Sequence, residues 1–128
     1  MIKKLLRFGI VGGLNTAVTL LIFYLLHHSL AINYLVASVM AYTAGIVNSY
    51  IWNRYWTFKS KTETIASEFS KFTILNLIGL ALNTVFMAIF VEVGHLQPFT
   101  SQGISILLIF LLNFFGNYYW VFKVQKSD

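Results

Sequence analysis

NRYWTFK, at positions 53–59, is the stretch that decides the fold, because the chain repeats it as NYYWVFK at positions 117–123. The two copies are 64 positions apart, which is half of the 128 residues. Each copy closes a long apolar run with an amide, aromatic rings and a lysine, the order in which a helix leaves hydrocarbon, crosses the headgroup layer and reaches water. We therefore predict that each copy marks the end of a membrane-spanning helix.

The composition is that of an integral membrane protein. Hydrophobic residues make up 58% of the sequence and charged residues 10%, and the mean hydropathy is +0.74, all far from the averages of soluble domains. A chain of 128 residues forms one domain, too short for a separate catalytic domain beside several spans. It has no cysteine, which excludes disulfides and thiolate sites.

Windows free of charge predict four transmembrane helices. No Lys, Arg, Asp or Glu occurs between positions 8 and 53, which is enough for two spans of about 20 residues each, with a turn at 27–29. A third window covers 72–91, and a fourth span covers 101–120, with Pro98 in the loop between them. The predicted fold class is all-α integral membrane. Small residues four apart predict close packing of the first two helices: Gly9 and Gly13, Gly12 and Thr16, and the stripe of Ala37, Ala41 and Gly45.

The basic residues predict the orientation. All 9 Lys and Arg lie at the N-terminus, between positions 54 and 71, or from position 123 onward. The positive-inside rule then places both termini and the central loop in the cytoplasm, as in a multi-pass protein of a bacterial cytoplasmic (inner) membrane. The apolar run from Phe8 to Leu26 is too long for a cleaved signal peptide and is expected to be an anchor. Because the net charge of +5 follows this membrane pattern, we expect no nucleic-acid partner.

The repeat divides the single domain into repeat 1 (1–59), a cytoplasmic linker (60–70) and repeat 2 (71–128). Two spans in each repeat imply parallel repeats about an axis along the membrane normal. Asn15 matches Asn83 at an offset of 68 instead of 64, which predicts about one additional helical turn in the second half. In the linker, Ile65, Phe69 and Phe72 share a face while Glu63, Glu68 and Lys71 lie on others, which predicts a short amphipathic helix on the cytoplasmic surface that runs into the third helix; a plain solvated connector is the alternative.

These motifs resemble those of the GtrA-like proteins, small four-helix bacterial membrane proteins associated with polyprenyl-phosphate-linked sugars. The resemblance covers the whole chain, and its carriers are Arg7-Phe8, Val11-Gly12, Asn15-Thr16, the signature at 53–58, Lys71-Phe72, Gly79, Asn83 and the stretch 113–122. It implies a protein that moves a sugar on an undecaprenyl-phosphate-type carrier across the membrane for O-antigen or teichoic acid glycosylation. Similar helices also anchor polyprenyl-phosphate glycosyltransferases. Tyr118 occupies the position that Arg54 has in the first copy. An anion site built on both copies would therefore have its arginine in the first copy only.

Polar side chains within the spans are the candidate substrate contacts. Amides in hydrocarbon must face protein or water, so the asparagines either line a polar cleft open to the cytoplasm or hold helices together by hydrogen bonds. Arg54 either binds a phosphate in a bidentate manner or anchors the helix end by reaching the headgroups. Trp56 and Trp120 either form an aromatic belt or stack on a sugar. The candidate substrate-binding residues are Arg54, Asn53, Asn15, Asn83, Asn113, Asn117, Trp56, Trp120, Arg7 and Lys71.

The predicted function is translocation of a polyprenyl-phosphate-linked sugar, with the lipid bilayer, a second copy of the chain and a membrane glycosyltransferase as possible partners. No plausible nucleophile has a neighbouring base, so no enzyme, catalytic residue, metal or cofactor is expected. One alternative is a non-transporting anchor or partner subunit of a glycosyltransferase. A small multidrug resistance-type exporter would be expected to carry a carboxylate in its first helix, and this chain has none there. Sequence alone assigns no role to His27, His28, Glu92 and His95.

Overall fold

The structure is a computed structural model and describes residues 1–61 and 64–122. It divides into two compact units, residues 1–60 and 61–128, each of which is described by itself. Unit 1 pairs helix α1 (Ile2–Tyr24) with α2 (Tyr34–Trp52), and unit 2 pairs α3 (Ile65–Ala88) with α4 (Pro98–Gly116). Each helix continues into a five-residue π-helical turn, in chain order Leu25–Ser29, Asn53–Thr57, Ile89–Val93 and Asn117–Val121. Each unit is thus a helical hairpin with an open end, where its first helix begins and its second ends, and a loop end.

All four helices can cross a membrane. Counted with their π-helical turns they run Ile2–Ser29, Tyr34–Thr57, Ile65–Val93 and Pro98–Val121, and the shortest has 24 residues. At 1.5 Å per residue, about 36 Å of helix exceeds the roughly 30 Å of a hydrocarbon core. The prediction of an all-α membrane protein with four spanning helices is confirmed.

The loops are shorter than the sequence predicts. Residues 27–29, expected to form a turn, belong to the π-helical turn that ends α1. Asn33 begins α2, because its side chain accepts a hydrogen bond from the backbone nitrogen of Leu35 at 2.9 Å. Pro98, expected in a loop, is at the start of α4, where its missing N–H is not needed.

The helical residues described in the predicted linker belong to α3. Helix α3 begins at Ile65 and continues without a break to Ala88, while Glu63 lies outside the described residues. In its first turns Glu68 is only 2% exposed, although the sequence placed it away from the apolar face, whereas Ile65 is 49% exposed. The division of the chain into repeats 1–59 and 71–128 stays a prediction.

The two hairpins share one register. Helix α4 begins and ends 64 positions after α2, and the π-helical turns follow the same offset. At the open end of unit 1 the rings of Phe8 and Phe58 are 6.0 Å apart, and in unit 2 those of Phe72 and Phe122 are also 6.0 Å apart. The predicted additional turn is therefore wrong, and the residue that corresponds to Asn15 at this offset is Gly79, not Asn83. Common helix bounds are what a duplicated chain would give, while the parallel arrangement in the membrane stays a prediction.

A stripe of small residues brings α1 and α2 together. Ala37, Ala41 and Gly45 are buried at four-residue spacing on one face of α2, as the sequence predicts, so the two backbones can approach closely. At Gly12 and Gly13 of α1 the expectation was wrong, because a Cβ atom added at either residue would meet nothing within 4 Å.

Candidate functional site at the open end of unit 1

The π-helical turn Asn53–Thr57 forms most of this site. It ends α2 in a wide turn whose inner side chains face α1, and Asn53, Arg54 and Thr57 are all buried. Lys4 of α1, at the same end, is 5% exposed. Four buried polar residues at one helix end bring hydrogen-bond donors, acceptors and positive charge together, which makes this end a candidate binding site.

Arg54 is the central cation of the site. It is 7% exposed, and its Cζ atom lies 5.5 Å from the centre of the Tyr55 ring. Its carbonyl oxygen accepts a hydrogen bond from the backbone nitrogen of Ser60 at 2.9 Å, which fixes the chain after the turn. A guanidinium stays charged in proteins and offers planar pairs of donors that match phosphate oxygens.

Arg7 is attached to the same turn from α1. Its Nη1 atom donates a hydrogen bond to the carbonyl oxygen of Trp56 at 3.1 Å, and its Cζ atom lies 5.3 Å from the centre of the Trp56 indole. The two predicted site residues are therefore in contact, and Arg7 holds the end of α2 against α1.

Two buried oxygens of the turn have no partner in the described part of the chain. They are Asn53 Oδ1 and Thr57 Oγ1. The amide nitrogen of Asn53 donates to Ser49 Oγ at 3.2 Å, so only its carbonyl side is unsatisfied. These oxygens can accept hydrogen bonds, and the Thr57 hydroxyl can also donate one.

The charge of the whole chain is concentrated in this unit. Residues 1–60 contain five basic residues and no Asp or Glu, whereas residues 61–128 contain four basic and four acidic residues, so the net +5 belongs to unit 1. All five basic residues are at its open end: Lys3, Lys4, Arg7, Arg54 and Lys59. Clustered like charges raise the local concentration of counter-ions, so this end attracts anions.

Asn15 lies deeper in the same hairpin. A Cβ atom added to Gly45 would be 3.3 Å from Asn15 Oδ1, and this oxygen is buried without a partner in residues 1–61 and 64–122. Gly45 precedes Asn53 by eight residues, about 12 Å along the helix. The structure thus does not bring Asn15 next to Arg54.

In unit 2 the predicted amides occupy separate places. Asn117 Nδ2 donates to the carbonyl oxygen of Asn113 at 2.7 Å, near the open end. Asn83 accepts hydrogen bonds from Gln102 and Ser105, near the loop end. Asn76 donates to the carbonyl oxygen of Phe72 in its own helix at 2.9 Å.

The remaining predicted residues are nearer the surface of unit 2. Lys71 is half-buried, and Trp120 is 46% exposed. Lys123, the last residue of the second copy, lies outside the described residues. Unit 2 has Tyr118 at the position of Arg54, so among residues 64–122 its open end contains no arginine.

Sequence reasoning missed the buried polar residues Lys4, Thr57, Glu68 and Ser105 and the half-buried Gln102. A signal for Lys4 existed, because Lys4, Phe8, Val11 and Asn15 share one helix face by their spacing. Gln102 and Ser105, three residues apart in an apolar run, were a similar signal.

The described residues contain no group of three His, Cys, Asp or Glu that could hold a metal ion. The polar groups of the site in unit 1 are amides, hydroxyls and cations, which can bind oxygen-rich ligands. The fold and this site define a small multi-pass helical membrane protein with a cationic site at a helix end.

The family described as "GtrA/DPMS, transmembrane domain" matches residues 7–122, and the chain belongs to this family. The membrane protein YngA of Bacillus subtilis (strain 168) is 36% identical over 121 residues, which cover 94% of this chain and 80% of YngA. The cell wall teichoic acid glycosylation protein GtcA of Listeria monocytogenes serovar 1/2a is 24% identical over 128 residues, which cover 98% of this chain and 88% of GtcA. The membrane protein YwcD of Bacillus subtilis (strain 168) is 25% identical over 122 residues, which cover 93% of this chain and 96% of YwcD.

Proposed function

We propose that this protein moves a polyprenyl-phosphate-linked sugar across the bacterial cytoplasmic membrane for glycosylation of a cell-surface polymer such as teichoic acid. The observation that carries the proposal is the buried Arg54 within the cationic open end of unit 1. Membership of the GtrA/DPMS family and the likeness to GtcA support it. Neither the family description nor these names state a catalytic activity.

The proposed mechanism begins with the phosphate. Arg54 binds its oxygens through paired donors, with the other basic residues of the open end attracting the anion and Arg7 holding the turn in place. The unpaired oxygens of Asn53 and Thr57 accept hydrogen bonds from hydroxyl groups of the sugar. The polyprenyl tail stays in the lipid beside the exposed apolar faces of the helices, and both termini lie in the cytoplasm.

The test is a flipping assay with purified protein in liposomes and a fluorescent polyprenyl-phosphate sugar. Wild type should move the lipid faster than empty liposomes. Arg54→Gln should lower the rate at least about tenfold, the size of one hydrogen bond to a charged group, and Arg54→Lys should restore only part of it. Lys59→Gln removes one exposed charge at the same end, so it should lower the rate only slightly and measures how much of the Arg54→Gln effect comes from net charge alone. Equal rates for wild type, Arg54→Gln and empty liposomes would refute the proposal.

A non-transporting anchor or partner subunit of a polyprenyl-phosphate glycosyltransferase is the second candidate. The family description names two kinds of transmembrane domain, GtrA and DPMS, under one heading, and this supports the second candidate. If this second candidate is correct, the flipping rate should equal that of empty liposomes, and a glycosyltransferase should co-purify with the protein from the native membrane. A homodimer is compatible with either function, and cross-linking in the membrane tests it.

A further inference from the structure

A second polar cluster lies between α3 and α4, toward the loop end of unit 2. Asn83 Oδ1 accepts hydrogen bonds from Gln102 Nε2 at 3.1 Å and from Ser105 Oγ at 2.6 Å. Gln102 is four residues after Pro98, and Asn83 is ten residues before Val93, so the cluster lies about 6–15 Å inside the spans. It is thus an uncharged polar site at membrane depth.

These two hydrogen bonds use only part of the polar capacity of the cluster. An amide offers two donors and a carbonyl acceptor, and within the described ranges Asn83 Nδ2 and Gln102 Oε1 have no partner. Ser101, one turn before Ser105, is 0% exposed, and its Oγ atom has no partner in the same ranges. Unpaired polar groups are costly in a bilayer, and two helices could be joined without these additional groups.

The chemistry of the cluster selects a neutral ligand. Its four side chains, those of Asn83, Ser101, Gln102 and Ser105, are amides and hydroxyls that both donate and accept hydrogen bonds. Sugar hydroxyls also donate and accept, whereas an ionised phosphate only accepts and is better matched by Arg54. We propose that this cluster binds the sugar of the transported lipid at a stage separate from phosphate binding, an inference that rests on the function proposed above.

The experiment compares two kinds of lipid. Protein in nanodiscs is titrated with polyprenyl phosphate and with the same polyprenyl phosphate carrying glucose or galactose. Wild type should bind at least one sugar-bearing lipid more tightly than the bare phosphate. Asn83→Leu should weaken binding of that lipid about fivefold to tenfold, the size of one or two hydrogen bonds, and leave the bare phosphate unaffected.

Asn76→Leu is the matched control. It removes the same amide from the same helix, but this amide donates to Phe72 in its own helix, so both affinities should stay unchanged. Gln102→Leu should reproduce the effect of Asn83→Leu, and it replaces that variant if Asn83→Leu does not fold.

The outcomes separate the two proposals. If wild type binds the lipids without preferring a sugar, or if Asn83→Leu and Gln102→Leu change both affinities equally or not at all, the second site is refuted. If wild type binds none of the lipids, the proposed function itself fails. Loss of all binding in Arg54→Gln, with selective loss in Asn83→Leu, supports both.

Discussion

Asn15 of α1 lies directly against Gly45 of α2, because a Cβ atom on Gly45 would be 3.3 Å from Asn15 Oδ1. In unit 2 the contact is reversed, and a Cβ atom on Gly79 of α3 would be 3.3 Å from Asn113 Oδ1 of α4. In each hairpin a glycine gives an amide room between the helices. Close packing therefore fixes these amides in the spans.

Gly45→Ala should destabilise the protein. The added Cβ atom would collide with Thr19 Oγ1 and press on Asn15, so either these side chains or the helices must move. Overpacking of this kind costs about 1–3 kcal/mol. Unfolding in mixed micelles with increasing dodecyl sulfate measures the change.

Gly12→Ala is the control for that variant. Gly12 is in α1, where an added Cβ atom meets nothing within 4 Å, and replacing a helical glycine by alanine gains about 0.5–1 kcal/mol. The two alanine variants should therefore shift the unfolding midpoint in opposite directions. A shift of the same sign and size would contradict the packing described for Gly45.

Arg7→Lys should loosen the end of α2. Lysine loses the planar contact with the Trp56 indole, at a cost of about 0.5–1 kcal/mol, and the bond to the Trp56 carbonyl becomes weaker. In a background with Trp52→Phe and Trp120→Phe, Trp56 fluorescence should become more accessible to acrylamide, an uncharged quencher. Lys3→Ala, which changes an exposed side chain of the same helix, should leave quenching unchanged, and an equal rise in both variants would mean that the contact between Arg7 and Trp56 does not control access.

The sequence predicted the spans well because each is a long window without charge, and length in hydrocarbon is a strong constraint. The family resemblance included both Arg7-Phe8 and the 53–58 signature, but it did not predict that they are in contact. Helix ends were less predictable. The polar residues 27–29 extend α1 because a helix end near the headgroups can hold polar side chains without breaking.

The amides were harder to assign than the spans. The same residue type bonds to its own helix at Asn76, to the neighbouring helix at Asn83 and lies against a glycine at Asn15. Composition does not distinguish these cases, since each depends on which residue the partner helix presents. The offset of 68 between Asn15 and Asn83 came from aligning two identical triplets, Leu-Asn-Thr at 14–16 and at 82–84. The helix bounds instead keep an offset of 64.

Ala31→Gly should not destabilise the protein, unlike most alanine-to-glycine changes. Ala31 follows the π-helical turn of α1 with φ of 54°, a left-handed conformation that costs an L-residue about 1–2 kcal/mol. Glycine removes this cost but stabilises the unfolded chain by about 0.4–1 kcal/mol through its greater conformational entropy. The free energy of unfolding should therefore stay the same or rise slightly.

The comparison for Ala31 is Ala37→Gly. Ala37 is fully buried in α2, and glycine there should cost about 1 kcal/mol. Thermal unfolding in detergent measures both variants. If Ala31→Gly were as destabilising as Ala37→Gly, the left-handed conformation at Ala31 would carry no strain.

Asn53 and Asn117 occupy equivalent positions, 64 apart. Replacing each by leucine should affect transport differently if the site in unit 1 is functional. Both are 1% exposed, both donate to the residue four positions earlier, and both Oδ1 atoms are buried without a partner in the described ranges. Leucine of similar shape loses one hydrogen bond of about 1 kcal/mol but also removes an unpaired carbonyl, so either variant should stay folded. Transport should fall about tenfold in Asn53→Leu, where Arg54 is the next residue, and less than about twofold in Asn117→Leu, where Tyr118 follows. Equal transport by the two variants, at unchanged stability, would show that the unpaired oxygen of Asn53 has no part in binding.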